Sequence, residues 1–209
     1  MRRSWHRMAC ALMLTALGCA GCSSVLAPRP DPTRFYIVSA NDTPVVAKPK
    51  AGAIEVGLGP ISFPDYLART DIVTRTADNK VDIAPEARWS EPLDQNFKRV
   101  LELDLSSSLG GAHVATFPWF GSKPDVAYRV EVTVDRFESD AQGIAHLVAQ
   151  WSVIKDADGA TLYSSSSTIS TPGIAGDYAA MAAALSKAEA QFAQELAAGI
   201  DRLVRNKSS

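Results

Sequence analysis

Val126-Ala127-Tyr128-Arg129-Val130-Glu131-Val132-Thr133-Val134-Asp135 decides the fold. Every second residue is apolar, and the residues between are small or polar. A period of two sends successive side chains to opposite faces of a strand. One face is therefore buried and the other wet, as in an antiparallel sheet covered on one side. Two more strands follow. Residues 144–154 place Ala145, Leu147, Ala149, Trp151 and Val153 on one face. Asp156-Ala157-Asp158-Gly159 is a turn signal. The third strand starts at Thr161-Leu162-Tyr163 and runs into Ser164 to Ser167, a solvated or edge strand.

Upstream, residues 34–38 (Arg34-Phe35-Tyr36-Ile37-Val38) read as a first strand and residues 53–58 as a second, broken at Gly59-Pro60-Ile61-Ser62-Phe63-Pro64. Residues 72–76 and 80–84 flank Ala77-Asp78-Asn79 as a hairpin. A first long helix spans 91–109. Ser90 is its expected N-cap, Pro92 has φ preset for the first turn, and Gly110-Gly111 ends it. Leu93, Phe97, Val100, Leu101 and Leu105 recur at helical spacing. A second helix, 177–205, carries Tyr178, Met181, Leu185, Ala188, Phe192, Leu196, Ile200 and Leu203 on one stripe. Its many alanines let it lie close to a sheet or line a cavity. Strands run consecutively rather than alternating with helices, so the fold class is α+β: a single domain, mostly antiparallel sheet packed by two long helices.

The N-terminus carries an address. Arg2, Arg3 and Arg7 precede an apolar run of about ten residues, short of the roughly 20 that span a bilayer. Gly18-Cys19-Ala20-Gly21-Cys22-Ser23-Ser24 follows, so residues 1–21 read as a lipoprotein signal peptide. The Ala20-Gly21-Cys22-Ser23 core favours Cys22 as the acylated residue, and Cys19, after Ala16-Leu17-Gly18, is the alternative. Three acyl chains, at ~0.8 kcal/mol per buried CH₂, would hold the chain on a membrane. Neither cysteine is followed by Asp, which points to the outer membrane, facing the periplasm. Residues 22–33 contain Pro28, Pro30 and Pro32 and read as a semi-extended tether.

Composition narrows the function. Without Arg2, Arg3 and Arg7, 18 basic residues face 23 acidic ones, a charge of about −5. That excludes a basic stripe for nucleic acid. All three cysteines lie in or beside the leader, so the body has no disulfide and no thiolate metal site. His113 and His146 share no spacing that would join them, and neither gains a carboxylate partner from its sequence neighbours. There is no G-x-S-x-G elbow and no phosphate loop, and Gly57-x-Gly59 leads to Pro60 rather than to a helix. Glu102/Asp104 and Asp156/Asp158 read as solvation. No catalytic residue, metal or cofactor is expected, and the chain does not read as an enzyme. Two aromatic loops stand out: Phe117-Pro118-Trp119-Phe120, and Pro60 to Arg69, with Tyr66 and Leu67 between prolines and Arg69. Each folds over the core or meets a partner.

Five strings then occur in one order: the lipoprotein leader, Arg34-Phe35-Tyr36-Ile37, Pro64-Asp65-Tyr66-Leu67-Ala68-Arg69, Arg88-Trp89-Ser90-Glu91-Pro92-Leu93 and Asp135-Arg136-Phe137. Together they resemble the ABC-type transport auxiliary lipoprotein family, over 34–205. The resemblance implies an outer-membrane lipoprotein working beside an ABC transporter complex and a substrate-binding protein with mammalian cell entry (MCE) domains. Its cargo would be lipid or another hydrophobic molecule. It implies no catalytic residues. Tyr66, Leu67, Arg69, Arg88 and Trp89 are its motif positions, and with Trp119 and Phe120 they form the candidate partner contacts. A homo-oligomer is left open. The alternatives are a lipid- or ligand-binding module and a structural lipoprotein assisting envelope assembly.

Overall fold

The computed structural model describes residues 30–40, 55–119, 121 and 124–207. The leader, Cys19, Cys22, most of the tether and Phe120 lie outside them. Thr33–Ser209 forms one compact unit. Its elements are β1 (Arg34–Tyr36), β2 (Val56–Ser62), a 3-10 turn (Asp65–Leu67), β3 (Asp71–Ala77), β4 (Lys80–Trp89), α1 (Leu93–Ser108), β5 (Val114–Thr116), β6 (Tyr128–Asp140), β7 (Ala145–Lys155), β8 (Thr161–Thr171) and α2 (Tyr178–Lys207).

The alternating run becomes β6, the centre of an eight-stranded mixed sheet. β7 pairs antiparallel with nearly its whole length, and β8 pairs antiparallel with β7. The other edge of β6 is shared. β2 runs parallel to it from Tyr128 to Thr133, and β3 runs parallel to it at Ser139 and Asp140. β4 pairs antiparallel with β3, while β1 and β5 add short parallel edges on β4 and β2. The α+β class holds, and the two longest ladders are antiparallel.

Both helices cover one face. Val130, Val132, Val134, Leu147, Ala149 and Val153 of the sheet meet Phe97, Leu101 and Leu105 of α1 and Leu185, Phe192 and Leu196 of α2, all nearly inaccessible. Phe97 stands edge-on to Phe63 and to Phe137, each at 5.0 Å between ring centroids. Burying each such side chain contributes about 1.5–3 kcal/mol. The inward polar groups of β8 are satisfied: Ser167 accepts from Trp151 Nε1 at 3.1 Å and donates to Glu195, and Thr171 donates to the Ala184 carbonyl.

Several boundaries differ from the sequence reading. β2 continues through Gly59-Pro60 to Ser62, with a register shift between Leu58 and Ile61. β4 extends to Trp89 because its far end pairs with β1. Ser90 is not the N-cap. Its N–H donates to the Tyr36 carbonyl as the last rung of that ladder, and Pro92 takes the cap position, its carbonyl accepting from Gln95 and Asn96. Gly110 and Gly111 end α1 at φ 71 and 83, the left-handed region that glycine enters freely. Asp177 caps α2, its Oδ1 accepting from the N–H groups of Ala179 and Ala180. Glu102 and Asp104 are not mere solvation: Thr116 donates to Glu102, and Asp104 is buried beside Glu189 at the α1–α2 contact.

One helix position is set by a neighbour's ring. A Cβ on Gly199 would lie 2.5 Å from Trp151 Cη2. The indole cannot slide freely, because its N–H is bonded to Ser167. Gly199→Ala gains up to ~1 kcal/mol of helix propensity but overpacks the core at a cost of ~1–3 kcal/mol. Urea denaturation is expected to show a net loss of stability.

Candidate functional site

The 3-10 turn after Pro64 carries Tyr66 into the gap on β6 between the end of β2 and the start of its pairing with β3. The Tyr66 hydroxyl donates to Glu138 Oε2 at 2.7 Å. Arg75 Nε and Arg136 Nε donate to Oε1 at 2.8 and 2.9 Å, and the Phe137 N–H donates to Oε2 at 3.1 Å. Arg75 also lies over the Tyr66 ring, 5.6 Å from its centroid, and bonds the Asp78 carbonyl. Glu138 is 1% exposed. Burial pushes its carboxyl up, but the bonds from Arg75, Tyr66 and Arg136 outweigh that and hold it below its ordinary value. Burial and the Glu138 carboxylate in turn push the Tyr66 hydroxyl up to about 12. Tyr66 is thus a positioning residue that pins the proline-bounded loop to the sheet.

The other motif residues separate. Leu67 and Trp89 are core, at 3% and 5% exposure. Arg69 is exposed beside the turn. Arg88 Nε pairs with Asp71 Oδ1 at 3.3 Å, and its register partner on β1 is Phe35. Phe35, Arg88 and Asp71 therefore form a row across three strands on the face away from the helices. Phe35 is 65% exposed. Trp119 packs elsewhere, edge-on to Phe117 and over Gly57, where a Cβ would stand 3.2 Å from its ring.

Three features take their shape only in the structure. A groove of about 750 Å³ runs between the β1 segment and α2, with Phe35, Tyr36 and Ile37 on one side and Ala182, Ala183 and Ala190 on the other. The alanine-rich helix and the apolar Phe35-Tyr36-Ile37 were its only signal. A smaller, polar cavity of about 400 Å³ between α1 and α2 includes Asp104, Gln194 and Asp201. His146 does have a carboxylate partner: its Nε2 meets Asp140 Oδ2 at 2.8 Å, and its Nδ1 meets Ser170 Oγ at 3.0 Å. Hairpin pairing brings these together across six residues. The string lies on the wet face of the sheet and lines neither cavity.

This layout is shared by solved proteins. A crystal structure of protein XCC0632 from Xanthomonas campestris matches 84% of this chain and 99% of its own, at TM-score 0.65 and 21% identity. A second crystal structure, of an uncharacterized protein, matches 80% of this chain and 98% of its own, also at TM-score 0.65, with 23% identity. Both establish the fold. Residues 36–197, from the end of β1 to well into α2, match the family described as the ABC-type transport auxiliary lipoprotein component, and the chain belongs to that family. It is 30% identical over 138 residues to a protein named intermembrane transport lipoprotein PqiC from Escherichia coli K12, covering 66% of this chain and 70% of that one. The family is one of transport auxiliary lipoproteins rather than of enzymes. Among the described residues no helix is long and apolar enough to cross a membrane.

Glu138→Ala leaves two guanidinium groups and a hydroxyl without their acceptor and is expected to cost ~3–5 kcal/mol in urea melts. The pH dependence has two limbs. Because the folded-state Glu138 value is lowered, its stabilisation is present above about 4.5 and fades as pH falls through the lower folded value. Because the Tyr66 value is raised, its stabilisation is present below 10.0 and fades as pH climbs toward about 12. A 295 nm titration should show one tyrosine ionising near 12, absent in Tyr66→Phe.

Glu189 on α2 is fully buried, and neither of its carboxyl oxygens meets a hydrogen-bond partner. Burial first, then the charge of Asp104, pushes it well above its ordinary value. An acid raised on folding penalises the fold increasingly as pH rises above about 4.5. Glu189→Met is expected to gain ~1–3 kcal/mol at neutral pH and to flatten that decline. Denaturation at stepped pH checks both.

Proposed function

We propose that this chain is the membrane-tethered adaptor of an intermembrane transport system. Acylation at Cys22, with Cys19 the alternative, would hold it on the outer membrane facing the periplasm. Its body would dock an MCE-domain protein of an ABC transporter complex and help a hydrophobic cargo pass between membranes. The observation that carries this reading is the family match across the sheet and both helices, joined to a leader of the lipoprotein kind. The name of the Escherichia coli relative agrees with it. The pinned loop fits docking: Tyr66, Leu67 and Trp89 make the rim rigid, and Arg69 and Arg88 are displayed on it. Trp119 would serve as a second contact, with Phe120 beside it in sequence.

A second reading, a module that holds lipid in its own pocket, draws on the alanine-lined groove. Native mass spectrometry of detergent-extracted protein separates the two, since an adaptor comes out without retained lipid.

Mature protein isolated from envelopes should begin with a triacylated cysteine, and Cys22→Ala should abolish palmitate labelling or pass it to Cys19. A photoreactive residue at Arg69 or Arg88 should crosslink in cells to an MCE-domain protein or an ABC subunit. An unmodified amino terminus, or adducts with neither partner, defeats the proposal.

A further inference from the structure

Among the described residues β1 is an edge strand, and its free side faces the groove. The Tyr36 carbonyl accepts from the Ser90 N–H, so the main chain of Tyr36 is turned toward β4. Two residues on, the Asn96 side chain continues that side like one more rung. Its Oδ1 accepts from the Val38 N–H at 2.8 Å, and its Nδ2 donates to the Val38 carbonyl at 2.9 Å. Main-chain groups alternate sides along a strand. Those of Phe35 and Ile37 therefore point the other way, into the groove. Among the described residues neither meets a hydrogen-bond partner there. The Ser39 N–H points the same way and is met by Ser186 Oγ of α2 at 3.0 Å, which shows how a partner on that side is engaged.

We infer that this edge is a binding site for an extended peptide, which adds as a strand beside β1 with its inward side chains resting on the alanine face of α2. Three observations carry this beyond an apolar surface. The exposed edge offers unpaired donors and acceptors at alternate residues, the template an added strand requires. Asn96 and Ser186 hold the backbone extended past the end of the β1–β4 ladder, so little ordering is left to be done on binding. The floor is built from Ala182, Ala183 and Ala190, leaving about 750 Å³ between strand and helix. An acyl chain would fill that volume but leave the peptide groups of Phe35 and Ile37 without partners as it excluded water. A strand satisfies them. Lys187 lines the same groove and has no carboxylate partner among the described residues, so the peptide is one with an acidic residue near that position. The inference does not depend on the transport reading, because any partner chain with such a segment would serve.

The test uses the mature full chain in detergent and a displayed library of short linear peptides, followed by hydrogen exchange with the best synthetic binder. Selected peptides should alternate small or β-branched residues with polar ones and carry an acid. Binding should slow exchange at the amides of Phe35 and Ile37. Ile37→Pro deletes one outward donor while leaving the β4 side intact, and should weaken binding about tenfold. Ala183→Trp, on an exposed position of α2, fills the groove and should abolish binding, which keeps the test decisive if the proline variant melts early. Lys187→Glu should favour peptides with a basic residue instead. The inference is overturned if no peptide is selected, if binders tolerate both Ile37→Pro and Ala183→Trp, or if protection falls elsewhere. It is equally overturned if phosphatidylglycerol vesicles protect Phe35 and Ile37 and peptides do not.

Discussion

The carboxylate of Glu138 sits where the edge of β6 passes from β2 to β3 and no ladder runs on continuously. β6 is bordered by β2 along its first half and meets β3 only at its last two residues, and the polypeptide between those strands must cross the gap. The main chain alone cannot close such a seam. Glu138 gathers donors from the crossing loop, from β3 and from β6 itself, so the loop and the strand it leads into are fastened to two oxygens on a strand more than sixty residues further along the chain. Burying a lone carboxylate would be prohibitive. Surrounding it with two guanidinium groups, a phenol and an amide makes it tenable and leaves the cluster with a net positive charge. Remove the carboxylate and the seam holds mutually repelling cations.

That seam determines what the surface displays. Because the turn at Tyr66 is pinned from beneath, Arg69 and the Arg88–Asp71 pair are held on a firm base rather than on a wandering loop. Trp89 buries its ring while its neighbour Arg88 faces solvent, so one dipeptide serves both the core and the rim. On the opposite side of β4, β1 rests on three register pairs and the Asn96 bracket.

How much of this was legible in the sequence depended on how regular the backbone is. The first eight residues of β6, the stripes of both helices and the β3–β4 hairpin follow simple periods and could be read directly. The far end of β6 could not. A register shift between Val134 and Arg136 breaks the alternation, so Phe137, Glu138 and Ser139 are buried in succession and look like no strand. β5 is three residues long, too short for any period to show. Ser90 is a good cap in isolation, but its N–H was already committed to Tyr36, a partner more than fifty residues away that no local signal announces. The same limit governs the candidate site. Tyr66, Arg69 and Arg88 could be named from their motifs. Glu138, the residue that organises them, could not, because an acid within D-R-F-E-S-D looks like surface. The groove depends on which way the peptide groups of Phe35 and Ile37 turn, a property of register rather than of composition.

The short parallel pairing of β1 with β4 also decides how the body would bear load. Force applied at Arg34 along the strand would be resisted in shear by the rungs to Ala87, Arg88 and Trp89 together. Asn96 lies next in line and belongs to α1, one of the two helices that roof the core. A pull on Arg34 would thereby be spread into the deepest part of the molecule instead of peeling its edge.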